Sequence, residues 1–192
     1  MRRLFFGTAF LLLMAGCASP PPPAPGHTVP GPVDLDRYAG RWYEIAAFPQ
    51  FFQKGCHCTT AEYRREGDRI RVINRCRKGG SDGPLDTARG WAEPVPDSEN
   101  TRLTVSFFWP FSAPYWIVGL DEKSYQYAMV GHPGRDYLWI LSRTPTLPAD
   151  TYQMLVDQAR KKGYPVENLR RTDQSCFAGP ASSNRQDPIK KP

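Results

Sequence analysis

The order of two kinds of segment constrains the fold of this chain most: short strand-like segments come first, and a single helical pattern comes last. The strand-like segments are rich in β-branched and aromatic residues and are separated by turns that contain Gly, Asp, Asn or Pro. They span residues 42–48, 59–65, 69–75, 87–92, 102–108, 115–120, 125–130 and 137–141. This order is typical of an up-and-down barrel or a sandwich, and it argues against the alternating units of an α/β fold.

The helical pattern covers residues 149–162, and a last short strand near 168–172 is expected to return to the sheet. One apolar stripe of the helix is formed by Tyr152, Leu155, Val156 and Ala159. We therefore predict an all-β protein: an eight-stranded up-and-down antiparallel barrel with one C-terminal α-helix packed outside. Eight strands can close into a barrel wide enough to hold one small ligand.

Two stretches far apart in the chain point to a particular kind of barrel. Residues 38–46 contain Gly40 and Trp42, and residues 134–145 contain Trp139 and Arg143. Gly40 allows a sharp turn before the first strand, although a glycine followed by a core tryptophan is by itself a weak signal. Together the two stretches resemble the lipocalin family, and in particular its bacterial, apolipoprotein D-related branch of outer-membrane lipoproteins. The resemblance covers residues 33–176.

The resemblance implies a role for three residues at the floor of the barrel. Trp42, two residues after Gly40, would close the floor, and Arg143 would lie across its indole ring. A guanidinium stacked on an indole contributes about 0.5–2 kcal/mol when the pair is removed from water.

The N-terminal region predicts export and a lipid anchor. Residues 1–16 begin with two arginines, continue as an apolar run too short to span a bilayer, and end in small residues before Cys17. Cys17 is the expected site of lipid attachment, with an ordinary secretory signal as the alternative. Ala18 favours the outer membrane, because an inner-membrane retention signal would usually carry Asp there. The lipid-anchored protein would face the periplasm.

The remaining boundaries follow from composition. Residues 17–32 contain seven prolines and are predicted to form a lipidated tether. We predict that residues 33–177 form the barrel domain and that residues 178–192 are a disordered tail. The formal charge of +6 comes from dispersed basic residues, so we expect no nucleic-acid partner. The sequence leaves open whether two copies associate as a homodimer.

Alternation along each strand predicts which side chains face the interior. The inward set is apolar, and for the first strand its phase is taken from the resemblance, which favours Trp42, Glu44, Ala46 and Phe48. Small residues among the aromatics leave volume for a ligand, although aromatic side chains could instead fill the barrel. The predicted ligand-binding residues on the strands are Ala46, Phe48, Ala61, Tyr63, Val72, Asn74, Leu103, Val105, Phe107, Tyr115, Ile117 and Trp139.

Aromatic residues in two segments, 48–52 and 107–111, fall just past strand ends. We therefore add Phe51, Phe52 and Trp109 to the predicted ligand-binding set. They would belong to a hydrophobic mouth, the open end of the barrel, that contacts ligand or membrane. The alternative is that these aromatic side chains plug one another.

The cysteines fit an oxidising compartment. Apart from Cys17, the chain has four, Cys56, Cys58, Cys76 and Cys176, which allow three pairings. A metal site is not expected, because only His57 lies close enough in sequence to add a nitrogen ligand. The resemblance implies the pairing Cys58–Cys176, which leaves Cys56 for Cys76.

No motif predicts catalysis or a cofactor. The three histidines, His27, His57 and His132, stand near no nucleophile elbow and no paired carboxylates. The resemblance instead implies a carrier that binds fatty acids or lysophospholipids in the barrel for lipid storage or transport in membrane maintenance. A pigment or haem-like chromophore binder and an envelope protein-interaction module are the alternatives.

Overall fold

The computed structural model describes residue 29 and residues 31–177. The predicted signal peptide, Cys17, most of the tether and the predicted tail lie outside the described residues, so these assignments stay predictions. Val29 and Val33 are buried, and their N–H groups donate to the carbonyls of Ile117 and Glu99 at 3.1 and 2.9 Å. Part of the segment that was expected to be a tether, at Val29, thus contacts the barrel.

Within this part of the chain, eight antiparallel strands follow one another around a closed barrel, as predicted. The strands are β1 Gly40–Ala47, β2 Cys56–Glu66, β3 Arg69–Lys78, β4 Leu85–Pro94, β5 Arg102–Phe108, β6 Phe111–Leu120, β7 Tyr127–Gly131 and β8 Leu138–Ser142. Each strand pairs with the next, β8 pairs with β1, and the first half of β1 pairs with β2 to close the wall. Strands that are consecutive in the chain are antiparallel neighbours, so the loops that join them lie alternately at the two ends of the barrel.

The second half of β1 has a different partner. Past Tyr43 it leaves β2 and pairs with a ninth, two-residue strand, β9 Arg170–Arg171. This is the short returning strand that the sequence predicts. The Gln174 side-chain amide follows it into the gap and donates to the carbonyls of Glu44 and Thr59 at 2.6 and 2.9 Å. The C-terminal segment therefore completes the wall where β1 and β2 diverge.

Two helices pack on the barrel. The predicted helix, α2 Ala149–Lys161, buries Leu155, Val156 and Ala159 against the outer face of β6, β7, β8 and the end of β1. The sequence analysis missed α1 Leu35–Tyr38, a single turn in which the Asp34 carboxylate accepts from the N–H groups of Asp36 and Arg37. A four-residue helix is too short to show a periodic pattern.

The apolar residues form two cores. One lies inside the barrel and includes Trp42, Tyr63, Leu103 and Ile117; the other lies between the wall and α2 and includes Ile140 and Leu155. Two disulfide bonds join Cys56 to Cys76 and Cys58 to Cys176, as the resemblance implied. The second bond ties the C-terminal segment to β2. Among the described residues, no helix is both long and apolar enough to cross a bilayer.

Candidate functional site

The closed end of the barrel is built around a tryptophan and an arginine. The Trp42 side chain is fully buried, and its indole N–H donates to the carbonyl of Tyr38 at 2.8 Å. The guanidinium carbon of Arg143 lies 3.7 Å from the centroid of the Trp42 ring. Burial lowers the pKa of Arg143, while the neighbouring Tyr38 and Tyr63 act in the opposite direction. The pair seals the floor by stacking a cation on an indole face.

Arg143 also gathers backbone carbonyls from several segments. Its guanidinium donates to the carbonyls of Arg37, Tyr38, Arg41 and Tyr125 at 2.6–3.2 Å. Gly40 lies beside it with φ of +95°, and a Cβ atom built on Gly40 would lie 3.3 Å from Nη1 of Arg143. A glycine is needed here because the backbone conformation is strained for other residues and the space is taken by the guanidinium.

Three tyrosine hydroxyls meet above the floor. The Tyr38 and Tyr115 hydroxyl oxygens are 2.8 Å apart, and the Tyr115 hydroxyl donates to that of Tyr63 at 2.8 Å. Burial raises the pKa of Tyr63 to about 12 and raises those of Tyr38 and Tyr115 well above the ordinary value. All three hydroxyls therefore stay protonated at neutral pH. We call Tyr38, Tyr63 and Tyr115 the tyrosine triad.

Most of the predicted strand residues share the barrel interior. Asn74 lies opposite Ala61 of β2 and Ala88 of β4, on the same face as Val72. The others in the interior core or packed against it are Ala61, Tyr63, Val72, Leu103, Val105, Phe107, Tyr115, Ile117 and Trp139.

The interior changes in character along the barrel axis. Leu103 and Ile117, near the floor, are buried, whereas Val105 and Trp139, farther from Trp42, are half-buried. The inner wall thus becomes more accessible to solvent toward the open end.

Two of the predicted inward residues lie on the other face of the wall. Ala46 and Phe48 pack in the cluster under α2, so the prediction that they line the interior is wrong. The cause is a β-bulge: Glu44 pairs with Leu141 of β8, but Ala46 pairs with Ile140, so Ile45 is an extra residue. Alternation resumes one residue late, and Ala47, opposite Trp139, takes the inward position.

A second β-bulge, in β6, makes one more predicted side-chain orientation wrong. The alternation predicts that Gly119 faces inward, but the register shifts between Ile117 and Gly119. A Cβ atom built on Gly119 would lie 2.6 Å from Cε of Met129, which packs under α2. Gly119 therefore makes room outside the barrel and adds no volume inside it.

Strand direction places the predicted aromatic segments at the open end. Phe51 is 87% exposed on a 3₁₀ turn, Phe51–Gln53, and Trp109 is 91% exposed on the turn between β5 and β6. Phe52, Phe108 and Phe111 are also exposed, and Leu85 joins them from the start of β4. Phe51 and Phe52 contact each other edge to face, yet both remain exposed. These side chains are therefore exposed to solvent at the open end.

A polar network that the sequence analysis missed crosses one side of the mouth. The Glu44 carboxylate accepts from the Thr172 hydroxyl at 2.6 Å and from the Gln53 amide at 2.8 Å. The Gln53 side-chain carbonyl accepts from the Trp139 indole N–H at 3.0 Å. Burial raises the pKa of Glu44 despite these two hydrogen bonds. A cleft of about 480 Å³ opens beside this network, between the 3₁₀ turn and β9.

Two histidine–carboxylate contacts lie outside this network. His57 contacts Asp173 at 3.2 Å and His132 contacts Asp136 at 2.8 Å, each on the outside of the barrel. Within the described part of the chain, no three His, Cys, Asp or Glu side chains are placed to hold a metal ion.

A protein-family model decides the identity of the fold: the lipocalin-like domain matches residues 33–174. This chain belongs to the lipocalin family. Lipocalins bind small hydrophobic ligands and are generally binding proteins rather than enzymes. The closed, apolar interior described above is consistent with that general property.

Named relatives support the assignment of this lipocalin to the bacterial, apolipoprotein D-related branch. It is 41% identical over 163 residues to the outer membrane lipoprotein Blc of Citrobacter freundii, covering 84% of this chain and 90% of the relative. It is 36% identical over 165 residues to apolipoprotein D of Macaca fascicularis, covering 82% of each chain. The solved structure of insecticyanin from the tobacco hornworm Manduca sexta aligns with a TM-score of 0.63 at 23% identity, over 83% of this chain and 90% of that one. The last likeness bears on the fold alone.

Proposed function

We propose that this lipocalin binds a fatty acid or a lysophospholipid in its barrel, with the acyl chain inside and the charged head at the open end. The observation that carries the proposal is the gradient of the interior. It is buried and apolar at the Trp42 floor, half-open at Val105 and Trp139, and surrounded by exposed aromatics at the mouth. Each buried CH₂ group of a ligand contributes about 0.8 kcal/mol, so a long chain binds without a covalent or catalytic step.

We further propose that the protein is anchored in the outer membrane through a lipid on Cys17 and faces the periplasm. Two observations support this. The signal pattern at residues 1–17 is typical of a bacterial lipoprotein, and a relative of 41% identity is named an outer membrane lipoprotein. A lipid carrier at that place would serve storage or transport of lipids in membrane maintenance.

Native mass spectrometry of a Cys17→Ser variant purified from the cell envelope tests the ligand class, because any lipid mass then belongs to a bound ligand and not to the anchor. We expect one bound amphiphile per chain, or uptake of one equivalent of added palmitate or lysophosphatidylcholine. The proposal is contradicted if no lipid mass copurifies with the protein and no added lipid is taken up. Visible absorbance of the purified protein would favour the pigment alternative instead.

A pair of matched substitutions locates that ligand. Val105 and Val166 are both half-buried, but Val105 packs inside the barrel and Val166 packs under α2. Val105→Trp is expected to abolish palmitate uptake by filling the interior, while Val166→Trp retains it. Equal uptake by the two variants would place the ligand elsewhere.

A further inference from the structure

One hydroxyl hydrogen of the tyrosine triad takes part in no hydrogen bond within the triad. Three hydroxyls joined by two hydrogen bonds use two of their three hydrogens. Because Tyr115 donates to Tyr63, Tyr38 must donate to Tyr115, and the Tyr63 hydroxyl is left with no acceptor among the described residues. A buried donor without an acceptor costs free energy, so this group favours any ligand that brings an oxygen to it.

A buried acceptor without a donor lies on the same wall. Oδ1 of Asn74 is buried and has no hydrogen-bond partner within the described part of the chain. Tyr63 pairs with Val72, and Ala61 pairs with Asn74, so Tyr63 and Asn74 are diagonal neighbours on the inward face of β2 and β3. Tyr63 and Asn74 thus place one spare donor and one spare acceptor at diagonal positions on the inward face of β2 and β3.

A hydroxyl group satisfies both, because its oxygen can accept from Tyr63 while its hydrogen is donated to Asn74. A carboxylate fits less well, since it cannot donate and the Arg143 guanidinium is turned toward the backbone carbonyls of the floor. Burial raises the pKa of Tyr63 to about 12, so its hydroxyl remains a donor at neutral pH.

Resting on the proposed function, we propose that Tyr63 and Asn74 form a polar subsite for a hydroxyl group carried on the buried part of an acyl chain. The lipocalin would thus select hydroxylated acyl chains over unsubstituted ones of the same length. The subsite compensates the cost of burying the hydroxyl, and a plain chain leaves Tyr63 and Asn74 unpaired. The charged head of such a ligand still lies at the mouth.

The test compares ω-hydroxy fatty acids of lauric, myristic, palmitic and stearic length with their unsubstituted parents, so that one length brings the hydroxyl to the subsite. Dissociation constants are measured from the change in tryptophan fluorescence for the unaltered protein and for Tyr63→Phe. Each variant constant is divided by that of the unaltered protein, which cancels the hydration of the ligand. We expect Tyr63→Phe to weaken the best-fitting ω-hydroxy acid about threefold to tenfold and its parent less than twofold.

Two further variants keep the result interpretable. Tyr43→Phe removes a hydroxyl from the outer face of β1, where the Tyr43 ring contacts Phe177, and should change neither ligand. Asn74→Ala should weaken the ω-hydroxy acid selectively, even if Tyr63→Phe folds poorly by circular dichroism. If both Tyr63→Phe and Asn74→Ala affect hydroxylated and plain acids by the same factor, the subsite proposal is overturned while acyl binding stands. If none of the acids binds, the proposed function fails as well.

Discussion

At the scale of single residues, Arg143 connects several segments at the floor of the barrel. It stacks on Trp42 and donates to four backbone carbonyls around the floor. We expect Arg143→Ala to lower the free energy of unfolding by about 2–4 kcal/mol, because the stacking and the charged hydrogen bonds are lost together. Urea denaturation measures the change. Arg64→Ala, an exposed control on β2, should stay within about 0.5 kcal/mol; similar losses in the two variants would refute the special role of Arg143.

Glu44 provides a second test at the residue scale, through pH. Its folded-state pKa is raised by burial, so the folded protein holds the proton more strongly than the unfolded chain does. Stability must then fall as pH rises from the ordinary glutamate pKa through the raised value, by at most about 1.4 kcal/mol per pH unit.

A Glu44→Gln variant lacks this proton and should lose that part of the pH dependence. The difference in unfolding free energy between the unaltered protein and the variant, measured by urea titration between about pH 4 and 8, should therefore decline with rising pH. Glu122→Gln, on an exposed loop, serves as the control. A pH-independent difference for Glu44→Gln would mean that the carboxyl is not desolvated.

At the scale of elements, the bulge in β1 decides which side chains face the barrel interior. Ala46 lies under α2 and Ala47 faces the interior. Ala46→Leu should lower the melting temperature by overpacking, a cost of about 1–3 kcal/mol, with little change in palmitate affinity. Ala47→Leu should change palmitate affinity more than stability. The opposite pattern in calorimetry and binding would show that alternation runs through β1 without interruption.

The turn between β5 and β6 is the clearest candidate for contact with lipid. Trp109 is almost fully exposed, so Trp109→Ala should leave the free energy of unfolding unchanged within about 0.5 kcal/mol. It should nevertheless weaken binding to phospholipid vesicles, measured by co-sedimentation. Trp91, on the outer face of β4 between the guanidinium groups of Arg69 and Arg71, supplies a matched control away from the mouth. Equal loss of vesicle binding in Trp91→Ala would remove the turn from the interface.

The strand count, the single packed helix and the returning strand were predictable from the sequence because they depend on periodicity, which is a local signal. The bulges at Ile45 and Val118 were not, since one extra residue leaves no mark on composition but reverses every position after it. The sequence analysis missed the contact between the Tyr38 and Tyr115 hydroxyls for another reason. The same reason applies to the hydrogen bonds by which Gln53 joins Glu44 to Trp139. Each comes from a short turn whose position is set by contacts with distant strands.

At the scale of the whole molecule, the two disulfides differ in how much chain they close. Cys58–Cys176 spans 118 residues and Cys56–Cys76 spans 20. Loop-closure entropy predicts a loss of about 5 kcal/mol for removing the long closure and about 3 kcal/mol for the short one. Urea denaturation of the two double Cys→Ala variants measures the order. A smaller loss for the Cys58 and Cys176 variant would indicate that the C-terminal segment holds its place without the bond.

The central claim about the whole molecule is that an acyl chain lies inside the barrel, above the Trp42 floor. Isotope-filtered nuclear Overhauser spectra of the protein with ¹³C-labelled palmitate test it most directly, because they report which methyl groups touch the chain. The account predicts contacts to Leu103, Val105 and Ile117 inside the barrel and none to Leu155 or Val156 under α2. Contacts confined to the helix cluster or to the exposed mouth, with none to the interior methyl groups, would contradict it.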